Sequence, residues 1–162
     1  MAPDEFSHVD AGGKARMVDV SAKEPTRRRA AAEAVVWVGR EVARAIAGGS
    51  VAKGPVMETA RLAGIQAAKE AGRLIPLCHP LLLDHAEVDL ELRGEEVHVR
   101  AQAAVTARTG GEMEALTAAA VAALTVYDMC KALSRDMEIR CLRLVEKAGG
   151  KSGHWSRRER QR

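Results

Sequence analysis

Small and apolar residues fill almost every position of the stretch Glu112 to Lys131, EMEALTAAAVAALTVYDMCK, with no glycine or proline among them. That composition predicts one long helix, and because its apolar residues surround the axis, a buried one. At 100° per residue, positions 114, 117, 121, 124, 128 and 131 fall on one side, so Glu114, Thr117, Asp128 and Lys131 face the same way. Strict alternation follows a different period in Ala86–Arg93 and, apart from Ala104, in Val97–Thr106. Joined by Gly94-Glu95-Glu96, these runs predict an antiparallel hairpin with one buried face, on which the long helix packs. Earlier in the chain, apolar residues at 35, 38, 42, 45 and 46 predict a helix from about Arg27 to Ala47, capped by Thr26 and stopped by Gly48-Gly49. A second helix is predicted from Pro55 to about Ala71, ended by Gly72. Strands are expected at Arg16–Ser21 and at about Met137–Lys147. The sum is an α+β domain over residues 8–153, an antiparallel sheet with long helices on one face, between tails at 1–7 and 154–162 that are expected to be flexible.

Composition narrows the function. Aromatic residues make up 2% of the chain, so base stacking has almost nothing to use and nucleic-acid binding of that kind is excluded. The formal charge of +3 arises from the terminal run Arg157-Arg158-Glu159-Arg160-Gln161-Arg162, which leaves the body near neutral. Cys78, Cys130 and Cys141 form neither a CxxC pair nor a disulfide-rich spacing, and no signal peptide or membrane-spanning run is read, so a reducing cytoplasmic setting is expected. Cys78-His79 offers two metal ligands, but no matching pair recurs at zinc-site spacing, and no metal site is predicted.

The candidate chemistry lies at loops and helix ends. Asp128 and Lys131, three apart on the helix, read either as a structural ion pair or as an acid and a base held in a cleft. Lys53 precedes a predicted helix start, where backbone N–H groups favour anions; it reads as a phosphate ligand or as an ordinary loop lysine. Arg27-Arg28-Arg29, placed in a first helical turn, would call for an anion or for simple solvation. His79 sits in Ile75-Pro76-Leu77-Cys78-His79-Pro80, where two prolines stiffen the backbone and keep a side chain aimed. Gly149-Gly150-Lys151-Ser152 is no Walker loop, since Val145 stands where the required glycine should be, but it suits a glycine-rich phosphate cradle. Together these suggest a protein that binds a phosphorylated small molecule. Glu114 and Asp128 lie roughly 21 Å apart along the predicted axis. A site using both would most simply take them from two copies of the chain, and Lys53 and Lys131 are expected to come from different copies as well.

Five motifs carry a resemblance: Met17-Val18-Asp19-Val20-Ser21-Ala22-Lys23, Ala60-Arg61-Leu62-Ala63-Gly64-Ile65-Gln66-Ala67-Ala68-Lys69, Ile75 to Pro80, Glu112 to Thr117, and Tyr127-Asp128-Met129-Cys130-Lys131. In this order they resemble the molybdenum cofactor biosynthesis protein C family, the cyclic pyranopterin monophosphate synthases, over about residues 8–153. The resemblance implies a ferredoxin-like fold, a homohexamer built as a trimer of dimers, and active sites where subunits meet. It implies conversion of 3′,8-cyclo-7,8-dihydro-GTP into cyclic pyranopterin monophosphate and pyrophosphate, with transient contact to the upstream radical GTP cyclase. By position it places the catalytic roles on Asp128, Lys131 and Lys53, and substrate contacts on Leu77, Cys78, His79, Met113 and Glu114, with Glu112, Arg28 and Lys69 lining the pocket. It requires no cofactor, although a divalent cation could accompany the triphosphate. A nucleotide- or pterin-sensing module without turnover is the rival reading.

Overall fold

The computed structural model describes residues 12–157; the expected flexible tail at 1–7 lies outside them, as do residues 8–11 and 158–162. Eight elements follow in order: β1 Thr26–Trp37, α1 Gly39–Ala47, α2 Val56–Leu74, β2 His85–Arg93, β3 Glu96–Ala107, α3 Glu112–Cys130, β4 Glu138–Ala148 and β5 Trp155–Ser156. The strands form one antiparallel sheet in the order β2-β3-β1-β4-β5. Omitting the short β5, this order is the ferredoxin-like split β-α-β arrangement, and the α+β expectation holds. The predicted hairpin is β2 and β3, with Arg93 paired to Glu96 across Gly94-Glu95. The left-handed turn puts Gly94 at φ 60°, where a side chain would be strained.

The expected helix Arg27–Ala47 does not form as one element. Its first half is β1, the central strand, and only Gly39–Ala47 is helical. Alanine favours a helix in isolation, but here tertiary packing overrides that preference. Ala30, Ala32, Ala34 and Val36 point inward at the strand period and are buried, while Glu33, Val35 and Trp37 point to the other face. Small side chains let α3 lie close over the sheet. Thr26 is accordingly a strand residue and caps nothing. Residues 16–21 form no regular strand; Asp19 instead accepts the Ser21 backbone N–H at 2.8 Å in a local turn. Pro55 stands one position ahead of its helix, and Gly72 lies inside α2 rather than at its end.

The core sits between the sheet and the helix pair α2–α3. Gly64 of α2 packs so tightly on α3 that an added Cβ would lie 2.9 Å from the Ala118 carbonyl oxygen and 3.0 Å from Val88 Cγ2. By length and composition α3 could cross a membrane, which the sequence reading had not recognised, but it is the core helix of this domain. Beyond β4 the chain turns back at Gly149–Gly153, and Trp155–Ser156 pair with Lys147 and Glu146. Arg157 also donates to the Leu144 carbonyl at 2.8 Å, so residues 155–157 are held to the sheet.

Candidate active site

Polar side chains gather at both ends of α3. At its C-terminal end, Lys131 is the capping residue, with its N–H bonded to the Tyr127 carbonyl. One turn earlier, Asp128 points the same way, and Lys131 Nζ lies 2.6 Å from Asp128 Oδ1. Lys53 comes from a tight turn in which Gly54 N–H returns to the Val51 carbonyl. Buried Val51 and Val56 anchor that turn on either side. It aims Lys53 not at the start of α2 but at the end of α3, where Nζ donates to Asp128 Oδ2 at 2.7 Å and to the Asp128 carbonyl at 2.9 Å. The carbonyl is one that a helix end leaves unpaired, and two ammonium groups suit the negative pole of the dipole.

These contacts hold the Asp128 carboxyl at a pKa of about 2, chiefly through the hydrogen bond from Lys131 and then that from Lys53. All three side chains remain about half exposed, so the cluster is open to a ligand. The expectation that Lys53 and Lys131 come from different chains does not hold, because both meet the same Asp128 within one chain.

The other cluster surrounds the N-terminal end of α3. Glu114 is only 1% exposed; its Oε1 accepts from the Cys78 thiol at 3.7 Å, and its Oε2 is buried with no hydrogen-bond partner among the described residues. Burial first, and the negative charge of Glu112 in addition, raise the Glu114 pKa. Burial and the neighbouring Glu114 push the Cys78 thiol up to about 11, which keeps it protonated and unreactive at neutral pH. His79 is held by the Val18 carbonyl 2.9 Å from Nε2. The loop carrying both residues folds back on α2 because Gly72 admits it: a Cβ there would lie 2.8 Å from Pro80 Cα.

Glu112 pairs with Lys147 at 3.2 Å. Sequence reasoning missed Lys147, whose only signal is that it stands two residues before the glycine-rich turn. Arg28 lines a small cavity with Glu112, Lys147 and Gly149. Met113 is half-buried in the first turn of α3, whereas Leu77 and, on α2, Lys69 are exposed. The structure therefore joins Lys53, Asp128 and Lys131 in one cluster and gathers Cys78, Glu114, Glu112 and Arg28 near the other end, without bringing the two together in one chain. Among the described residues no group of three or more His, Cys, Asp or Glu side chains is placed to hold a metal. A cavity of about 520 Å³ lies elsewhere, on the open face of the sheet beside Glu33, Asp89, His98 and Arg143. Its Glu33–Arg143 pair satisfies opposite charges locally, and it contains none of the candidate residues.

These features define a ferredoxin-like α+β protein with a lysine–aspartate–lysine cluster suited to a phosphorylated ligand. The chain belongs to the MoaC family, whose profile matches residues 17–150. That family acts in molybdenum cofactor biosynthesis, in the synthesis of cyclic pyranopterin monophosphate from a small pterin precursor.

Proposed function

We propose that this protein is a cyclic pyranopterin monophosphate synthase that converts 3′,8-cyclo-7,8-dihydro-GTP to cyclic pyranopterin monophosphate and pyrophosphate. The observation that carries this reading is the convergence of Lys53 and Lys131 on one ionised Asp128. In the phosphate step, a sugar hydroxyl attacks the α-phosphorus, its proton passes to a base, and the bond to the β-phosphate breaks to release pyrophosphate. With its pKa near 2, Asp128 remains a carboxylate and donates no proton at neutral pH. Its role is to hold the two ammonium groups. These supply positive charge to the triphosphate and protons to the rearranging ring. Lys69 on α2 adds positive charge for the substrate, and Leu77, Cys78, His79, Met113 and Glu114 contact it from the other cluster.

Because the two clusters sit at opposite ends of α3, the complete site uses one cluster from each of two copies, within a hexamer built as a trimer of dimers. The protein works in the cytoplasm and receives its substrate from the radical cyclase by transient contact. No resident cofactor is required, and a divalent cation would arrive on the triphosphate.

The deciding experiment incubates the protein with the cyclised GTP intermediate and measures pyrophosphate. The parent protein is expected to release it, and Lys131→Ala to lose turnover by at least about 100-fold while its circular dichroism is unchanged. Tight binding of the intermediate without release would identify a sensor instead. A Lys131→Ala variant with near-parental turnover would reduce the Asp128 pair to a structural contact.

A further inference from the structure

Arg28 occupies an unusual position for a side chain assigned to the lining of a substrate pocket. It lies on the central strand, paired with Val105 of β3, and the next residue, Arg29, pairs with Ala148 of β4. The ends of both neighbouring strands therefore pass beside it. Its Nε donates to the Ala107 carbonyl at 3.1 Å and its Nη2 to the Arg108 carbonyl at 3.2 Å. Those carbonyls stand just ahead of Thr109-Gly110-Gly111 and the start of α3. From the turn after β4, Gly150, at φ 70°, lies against the guanidinium so closely that a Cβ would collide with Nη1, and a Cβ on Gly149 would collide with the Arg27 carbonyl.

Both segments are rich in glycine and would each lose much conformational freedom on ordering. Each also carries one partner of the ion pair at this end of the site, Glu112 after one and Lys147 before the other. A planar guanidinium can bond two carbonyls in a fork while a backbone turn packs against it; a lysine ammonium, a point charge on a flexible stem, cannot reproduce this.

We propose that Arg28 is a positioning residue that ties the loop before α3 to the turn after β4 and so sets Glu112 and Lys147 in register at the substrate site. Its contribution to the reaction is geometric and does not reside in its charge. The turnover arm of the test rests on the proposed synthase activity, whereas the exchange arm does not.

The experiment compares the full-length parent with Arg28→Lys and Gly150→Ala by hydrogen exchange, turnover of the cyclised GTP intermediate, and inhibition by pyrophosphate. In both variants, amides of residues 107–112 and 147–153 are expected to exchange faster on the order of tenfold, while the 88–99 hairpin is unchanged. Turnover should fall tenfold or more, as displacement of reacting groups does, with the pyrophosphate inhibition constant within about twofold of the parent's. Gly150→Ala displaces the guanidinium without removing it, so it decides the matter should Arg28→Lys fail to fold. Unchanged protection, or loosening of one segment only, overturns the proposal. Full activity in Arg28→Lys with weakened pyrophosphate inhibition in Arg28→Ala would likewise return Arg28 to phosphate binding. A parent protein that releases no pyrophosphate sinks the synthase reading, and the exchange results still decide the role of Arg28.

Discussion

Two carboxyl groups on one helix are driven in opposite directions. Asp128, open to solvent and bonded by two lysines, is fixed as a carboxylate; Glu114, buried beside a thiol that is itself neutral, moves toward the uncharged acid. Environments that separate similar groups in this way divide the roles of charge carrier and proton holder between them. The Glu114 effect has a definite sign. Its folded-state pKa is raised above the 4.5 of a free glutamate side chain. Between that value and the folded one, the native state binds more protons than the unfolded chain, and stability must fall as pH rises. Glu114→Gln has no charge to bury. Its urea midpoint is expected to match the parent's below about pH 4.5 and to exceed it by a margin that grows as pH rises above that value and levels off once Glu114 ionises in the folded state. Midpoints that stay parallel as pH rises would show that Glu114 ionises without penalty, and the buried-acid assignment would fail.

Elements with one dominant periodicity were legible before any coordinates. The hairpin alternates at period two, and α3 combines strong helix formers with uniform apolarity; both lie within a residue or two of their expected limits. β1 was not legible, because Thr26-Arg-Arg-Arg-Ala-Ala-Ala-Glu-Ala has the composition of a helix, and only its partners β3 and β4 make it a strand. The clue was local: β-branched and aromatic Val35, Val36, Trp37 and Val38 end the run, with Glu33, Val35 and Trp37 on one face. Gly64 shows the same dependence on partners. In an isolated helix, replacing it by alanine would help by about 1 kcal/mol. Here the new methyl group meets the Ala118 carbonyl, a backbone atom that cannot rotate away. Gly64→Ala is therefore expected to be destabilising by a net ~1–2 kcal/mol, since overpacking outweighs propensity. Chemical denaturation checks it; a gain in stability would mean that α2 and α3 separate easily.

At the scale of the molecule, the site was only half legible. Spacing predicted that Asp128 and Lys131 would meet, but Lys53 is 75 residues from Asp128, and only the fold brings it there. The expectation of lysines from different chains failed for the same reason. What survives is the separation along α3, and it makes a sharper test. In the proposed two-fold dimer, each site would take the lysine–aspartate cluster from one copy and the Glu114 cluster from the other. Suppose Asp128→Ala and Glu114→Ala are each inactive alone, then mixed and reassembled at random. Half the dimers are mixed, each with one site carrying both defects and one carrying neither, so about a quarter of all sites should recover. Lys53→Ala mixed with Lys131→Ala should recover none, because both lysines serve the same cluster of the same chain. Activity measured after co-refolding, with subunit exchange confirmed by mass, separates the cases. Recovery in the first mixture and silence in the second is the signature of a site divided between chains with its lysines undivided. Silence in both would place each complete site within one chain, and recovery in the second would mean that the lysines part company in the assembled enzyme.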